Sequence, residues 1–229
     1  MTTVQIAAYL PRSRVNGPGV RAVLWVQGCP MRCVGCFNPD FQPFEGGEAR
    51  AVAEVVDWIV KDDATEGVTF SGGEPFAQAA ALTEVARGVQ QARKSVVVFT
   101  GYECGDEKLE GQKWEMGETQ CETPNAQRPT PNVQLSTLNA QCLCEEVDAR
   151  RALIAQCDAL IAGPYRQEVP SRHPLLGSGN QRIVLLTDRY RIEDFQARTG
   201  RRAEYRIAPD GRVTVTGFPR VEAKEQVTK

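Results

Sequence analysis

The stretch GVTFSGGEPFAQAAALTEVARGVQQARKSVVVFTG, Gly67 to Gly101, carries the pattern that decides the predicted fold. Two short apolar runs, GVTF and SVVVFT, flank a segment with helical spacing, and Pro75 stands where the first turn of a helix tolerates proline. A strand, a helix and a strand in this order indicate a parallel βαβ unit. Because such strands end at one edge of a sheet, SGGE and TGYE are expected to lie side by side.

The same alternation continues on both sides of this unit. RAVLWVQG, Arg21 to Gly28, is typical of a buried strand, and EARAVAEVVDWIVKD, Glu48 to Asp62, of an amphipathic helix. Further along, EVDARRALIAQ predicts a helix, CDALIAG and QRIVLLT predict strands, and residues 203–218 suggest a hairpin. The whole chain, 1–229, is therefore expected to form a single α/β domain.

A polar segment, about 103–145, interrupts the alternation and predicts an irregular insertion. Four cysteines fall in it, at Cys104, Cys121, Cys142 and Cys144. One interpretation is a metal site, with zinc or a second iron–sulfur cluster, that stabilises a loop with little core of its own. The other is four free thiols, and the spacing leaves both open.

Composition limits the classes of partner. The net charge of −2 gives no overall basic field for nucleic acid. No apolar run approaches the roughly 20 residues that a membrane span needs, and the first residues show no secretory signal. We expect a cytoplasmic protein with no nucleic-acid or membrane partner. Thiols stay reduced there, so the eight cysteines favour metal binding or catalysis over disulfides.

The segment VQGCPMRCVGCFNPDF, Val26 to Phe41, places Cys29, Cys33 and Cys36 after the first predicted strand. Thiolates suit iron–sulfur clusters, zinc and cuprous copper. Three of them can hold three corners of a [4Fe–4S] cluster and leave one iron open. The alternative is a non-enzymatic zinc-binding module with a fourth ligand from elsewhere, although structural zinc loops usually pair cysteines as C-x2-C.

C-x3-C-x2-C after one strand, with TFSGGEPF after the next, resembles the radical S-adenosylmethionine (SAM) enzymes. The resemblance implies an incomplete, TIM-like barrel of parallel strands with helices outside. It also implies that SAM binds at the open iron and is cleaved reductively to a 5′-deoxyadenosyl radical. The implied [4Fe–4S] ligands are Cys29, Cys33 and Cys36; Gly72, Gly73 and Glu74 would hold the methionine end of SAM, and Phe37 and Asn38 would flank the adenine or the cluster.

Four segments narrow the resemblance: CVGCFNPDF, FTGY, DALIAGPYRQE and GSGNQRIV are similar to parts of the activating enzyme of anaerobic ribonucleotide reductase. This implies that a glycyl radical forms on a partner reductase and that flavodoxin or a ferredoxin donates the electron. Two features depart from the pattern: Ala162 stands where an acidic residue is common, and the insertion after Tyr102 is long. A radical SAM enzyme that modifies a small molecule or a peptide is the alternative.

The remaining candidates have plainer interpretations. Cys157 is expected to be a core residue, and His173, the only histidine, to be a surface loop residue. Arg166, Arg172 and Arg182 are expected to be solvated surface charges. Arg182 has the best case for contact with a partner, because it lies in the NQR segment of the resemblance.

Overall fold

The computed structural model describes residues 1–103, 147–196, 203–207, 209–211 and 213–218. The predicted insertion lies outside these residues, apart from its first residue. The strands are β1 (Thr3–Ser13), β2 (Arg21–Val26), β3 (Glu48–Ala51), β4 (Gly67–Gly72), β5 (Ser95–Thr100), β6 (Ala159–Ala162), β7 (Arg182–Leu185), β8 (Ala203–Ile207) and β9 (Val213–Gly217), and the helices are α1 (Val52–Val60), α2 (Ala79–Gln91) and α3 (147–154).

The first seven strands form one mixed sheet in the order β3-β1-β2-β4-β5-β6-β7, and β8 and β9 form a separate hairpin. Strands β2, β4, β5 and β6 pair in parallel, which confirms the predicted α/β class. The expectation of parallel strands throughout is wrong for β1, β3 and β7, which pair antiparallel. Residues 14–20, between β1 and β2, are too few for the crossover that a parallel pair needs.

The amino-terminal part of the sheet also departs from the sequence-based prediction. The segment predicted as one helix from Glu48 begins as strand β3, which pairs with β1 from Thr3↔Ala51 to Ile6↔Glu48, and becomes helical only at Val52. Strand β1 itself was not predicted. It contains Pro11, which argues against a strand, and Pro11 lies within one of the two register irregularities against β2.

The described helices cover one face of the sheet. Val55, Ile59, Leu82, Val85 and Leu153 are fully buried there against the strands, in one cluster with Leu24, Phe70 and Val98. The opposite face has a smaller cluster, in which Ile161 and Val97 pack against Leu175 from a loop and Phe195 from a short 3-10 helix, Ile192–Phe195. No helix in the described part of the chain is both long and apolar enough to cross a membrane.

A buried arginine occupies the amino ends of the parallel strands. Arg21 is fully buried and donates hydrogen bonds to Thr69 Oγ1 (2.8 Å), Ser95 Oγ (2.9 Å) and the Tyr190 hydroxyl (3.0 Å). Burial lowers its pKa, and Tyr190 partly offsets this. The guanidinium thus ties the strands together at their amino ends, whereas the segments singled out from the sequence follow the carboxyl ends.

Candidate active site

The thiol loop, residues 29–41, is closed at its base by backbone hydrogen bonds. Directly after β2, the Gly28 amide donates to the Phe41 carbonyl and the Cys29 amide to the Gln42 carbonyl, both at 2.9 Å. The side-chain amide of Gln27 reinforces this closure by donating to the Pro43 carbonyl at 2.7 Å. The three cysteines therefore sit on a loop whose two ends are fixed at the carboxyl end of β2.

Burial and backbone amides act in opposite directions on the thiols of this loop. Cys29 is buried, and Cys33 and Cys36 are partly buried. Burial raises the pKa of Cys29 to about 11, while the backbone amides of Met31 and Arg32 act in the opposite direction. Burial also raises the pKa of Cys33, partly offset by the amide of Tyr165. Backbone amides commonly donate to the sulfur ligands of iron–sulfur clusters, so the three cysteines and the amides around them fit such a cluster.

A site for one metal ion is a different arrangement from a cluster site. Across the described ranges, no three His, Cys, Asp or Glu side chains come close enough together to hold a single ion. A [4Fe–4S] cluster makes another demand, because each thiolate binds a different iron and the sulfur atoms need not converge on one point.

The backbone of the thiol loop explains the glycine before its last cysteine. Gly35 has φ +69°, and a Cβ there would lie 2.1 Å from Gln167 Oε1. A residue with a side chain would meet an unfavourable left-handed conformation at this position, and the exposed side chain of Gln167 would have to move. Arg32, between the first two cysteines, also has a positive φ, of 46°. Such conformations are uncommon outside glycine and cluster at ligand sites.

The glycine-glutamate turn after β4 packs directly against the base of the thiol loop. The Gly73 amide donates to the Val26 carbonyl and the Glu74 amide to the Gly28 carbonyl, both at 2.8 Å. A Cβ on Gly73 would lie 2.2 Å from the Gly28 oxygen and 2.8 Å from the Phe41 oxygen. The two segments singled out from the sequence are thus in backbone contact, which only a residue without a side chain permits.

Glu74 joins this turn to the loop after β5. Its side chain is 1% exposed and accepts hydrogen bonds from the Phe76 amide (2.9 Å), Thr100 Oγ1 (2.9 Å) and the Gly101 amide (2.7 Å). Burial raises its pKa, and these hydrogen bonds act to lower it. The carboxyl group therefore has three partners within the protein, and its evident structural role is to hold the SGGE and TGY loops together.

A cavity of about 400 Å³ lies beside the thiol loop. Phe37 and Asn38 line it together with Trp25, Ser71 and Phe99, which come from the ends of β2, β4 and β5. Residues of the carboxyl-terminal hairpin line it as well, among them Tyr205, Val215 and Phe218. The cavity thus connects the loop that carries the thiols with one face of the parallel sheet.

An aromatic cluster next to this cavity was not predicted. The ring of Phe37 lies 5.0 Å, between centroids, from both Tyr165 and Phe218, in edge-to-face contacts, and Phe99 lies 6.2 Å from Phe218. Phe99 lies near the end of one predicted strand and Tyr165 follows another, so their positions in the sequence could have placed both residues at the site. Phe218 lies 181 positions beyond Phe37, and nothing in the local sequence connects the two.

The other candidates fall in different places. Cys157 is 2% exposed, which confirms the prediction of a core residue. His173 is partly buried in a loop, where its Nδ1 accepts a hydrogen bond from the Leu175 amide at 3.2 Å. Arg182 is exposed at the start of β7. The four cysteines of the predicted second metal site, Cys104, Cys121, Cys142 and Cys144, lie outside the described residues.

Comparison with known proteins identifies the kind of site. Residues 15–120, which include the thiol loop and the glycine-glutamate turn, match the family described as "4Fe-4S single cluster domain". The pyruvate formate-lyase-activating enzyme of Listeria monocytogenes is 41% identical over 75 residues, covering 31% of this chain and 30% of the relative. The anaerobic ribonucleoside-triphosphate reductase-activating proteins of Vibrio cholerae and Escherichia coli K12 are each 33% identical over 106 residues, covering 41% of this chain and 66% of the relative.

The chain is a homologue of glycyl-radical-enzyme activating enzymes. The resemblance to the radical SAM superfamily and to its activating enzymes, inferred from the two motifs, is thereby confirmed. This activase homologue spans about a third of the length of the Listeria relative and about two thirds of the Vibrio one. The family match also supports the [4Fe–4S] cluster as the kind of cofactor.

Proposed function

We propose that this chain is a radical SAM enzyme whose [4Fe–4S] cluster is held by Cys29, Cys33 and Cys36. The observation that carries the proposal is the backbone contact between the thiol loop and the glycine-glutamate turn, in which the Glu74 amide donates to the Gly28 carbonyl at 2.8 Å. This contact brings the two family segments to one point at the carboxyl ends of parallel strands, where α/β proteins bind ligands. The proposed architecture is the incomplete barrel of that superfamily, in one cytoplasmic domain.

The roles of the other residues follow from the same contact. We assign Gly72 and Gly73 to binding the methionine end of SAM, because a chain without side chains lets backbone carbonyls approach an ammonium group. Glu74 adds negative charge from behind this turn while it fixes the turn in place. Phe37 and Asn38 line the cavity where the adenine would lie. When bound, the cluster and SAM would supply one-electron cleavage of the sulfonium and removal of a hydrogen atom from the substrate.

The proposed target is an anaerobic ribonucleoside-triphosphate reductase, on which the enzyme would form a glycyl radical, with flavodoxin or a ferredoxin as electron donor. The support is the share of the relatives that is matched, 66% for the reductase-activating proteins of Vibrio cholerae and Escherichia coli. The second candidate target is a pyruvate formate-lyase, favoured by the higher identity, 41%, to the Listeria protein. The insertion cysteines remain candidates for zinc or a second cluster.

Anaerobic reconstitution with iron and sulfide tests the cluster. We expect about four irons and four sulfides per chain, a brown colour that dithionite bleaches, and 5′-deoxyadenosine on addition of SAM and reductant. Replacing Cys29, Cys33 and Cys36 by serine should abolish all three, whereas Cys157→Ser should leave the iron content unchanged because that thiol lies in the core. A colourless protein that binds zinc stoichiometrically would contradict the proposal.

The target is tested separately, by incubating the reconstituted enzyme with each purified reductase or lyase under reducing conditions. A glycyl-radical signal in electron paramagnetic resonance on the ribonucleotide reductase alone would support the first candidate. A signal on pyruvate formate-lyase alone would favour the second. Formation of 5′-deoxyadenosine without a protein radical on either one would reject both.

A further inference from the structure

The carboxyl-terminal hairpin, β8 with β9, is attached to the domain through side chains. It pairs only with itself in the described sheets, with Tyr205 opposite Val215. Glu204 Oε1 accepts a hydrogen bond from the Arg14 amide, and Thr216 Oγ1 accepts one from Asn16 Nδ2, both at 2.9 Å. These contacts fix one side of the hairpin to the segment that follows β1.

The hairpin reaches the thiol loop through one aromatic residue. Phe218, directly after β9, meets the ring of Phe37, which is the residue after Cys36, at 5.0 Å. The packing around this contact is close, because a Cβ on Gly177 would lie 3.1 Å from Phe218 and 3.2 Å from Phe37. The partly buried ring of Phe218 is therefore in close contact with Phe37 and with the backbone at Gly177.

The cavity of about 400 Å³ lies between this hairpin and the sheet, with Tyr205, Val215 and Phe218 on one side and Trp25, Ser71 and Phe99 on the other. Phe218 and Phe37 line the cavity together, so on the hairpin side the ring of Phe218 occupies the space next to Phe37. Apolar walls of this kind select by size, since a side chain that overlaps a packed ring is rejected while a smaller one is accepted.

We propose that the hairpin is the substrate-side wall of the cavity and that Phe218 is a specificity-determining residue. Its ring leaves room for a bound polypeptide segment where that segment has a glycine, and excludes a residue with a larger side chain at the same position. The inference rests on the proposed function, because it takes the substrate to be a glycine-bearing segment of a partner enzyme. The family match ends at residue 120, so it does not include the hairpin.

Two heptapeptides that differ only at the central residue, glycine or valine, test the wall. Their binding to the cluster-free protein is measured by fluorescence anisotropy of a terminal dye. We expect the wild type to prefer the glycine peptide by roughly tenfold, the scale on which apolar pockets discriminate by size. Phe218→Ala should reduce the preference to about threefold or less by improving binding of the valine peptide. Ile207→Ala is the matched control, because Ile207 lies on the same hairpin, is 75% exposed and does not line the cavity.

The inference is overturned if Phe218→Ala weakens both peptides equally, if its preference equals that of the wild type, or if the wild type binds neither peptide. Phe218→Leu provides the same comparison with a smaller loss of packing, should circular dichroism show that the alanine variant is unfolded. The proposed function is tested by a different experiment, and it fails if the reconstituted wild type forms no 5′-deoxyadenosine. The anisotropy result on the cluster-free protein does not depend on that outcome.

Discussion

A single buried carboxylate, that of Glu74, connects two of the loops at the carboxyl edge of the sheet. Its oxygens accept hydrogen bonds from Phe76 and Thr100 on one side and from Gly101 on the other. The resemblance of TFSGGEPF to the radical SAM enzymes implied that Glu74 belongs to a ligand site. The choice of its three partners could not be predicted, since two of them lie 26 and 27 positions away.

We predict that Glu74→Gln destabilises the cluster-free protein by about 1–3 kcal/mol, because the amide places an N–H group against a backbone donor in a buried setting. Urea unfolding followed by circular dichroism measures the loss. Glu84→Gln is the matched control, since Glu84 accepts a hydrogen bond from the Thr2 hydroxyl on the exposed surface. Equal midpoints for the Glu74 variant and the wild type would show that the carboxylate does not hold the loops together.

At the scale of elements, the site depends on how closely the turn after β4 approaches the base of the thiol loop. Both segments were predictable from the sequence, because glycines, cysteines and strand ends carry strong local signals. Their backbone contact depends on the parallel pairing of β2 with β4, which places Val26 opposite Gly72. The strand β3 was mispredicted because EARA consists of good helix formers, and its pairing with β1 overrides that local preference.

We predict that Gly73→Ala prevents normal cluster assembly, because the new methyl group would lie 2.2 Å from the Gly28 oxygen and must push the thiol loop away. Iron and sulfide per chain after reconstitution should fall to less than about half of the wild-type value, with the far-ultraviolet circular dichroism retained. Gly211→Ala is the control: its φ is +83°, yet nothing lies within 4 Å of the added carbon. Full iron loading in the Gly73 variant would contradict the assigned contact.

At the scale of the whole molecule, the two ends of the parallel strands are specialised differently. Arg21, fully buried, ties β2 to Thr69 of β4, to Ser95 of β5 and to Tyr190 at the amino ends. The carboxyl ends carry the thiol loop, the glycine-glutamate turn and the cavity. The hydrogen bonds of Arg21 can hold the strands in register at one end, while the proposed ligand site lies at the other.

We predict that Arg21→Lys lowers the free energy of unfolding by about 1–3 kcal/mol or more, since an ammonium group cannot reproduce the planar set of donors and leaves buried acceptors unpaired. The urea midpoint of the cluster-free protein gives the change. Arg87→Lys, on the exposed side of α2, provides the comparison and should stay within about 0.5 kcal/mol of the wild type. A similar small effect for both variants would mean that Arg21 does not secure this end of the sheet.

The sequence by itself determined the order of the central strands and helices, the three-cysteine loop and the glycine-glutamate turn, because these depend on periodicity and on residue types that lie close together in the chain. The tertiary structure alone decided the direction of β1, β3 and β7, the partners of Glu74 and the contact of Phe218 with Phe37 beside the cavity. These features depend on contacts between residues far apart in the chain, and such contacts form only when the sheet brings distant segments together.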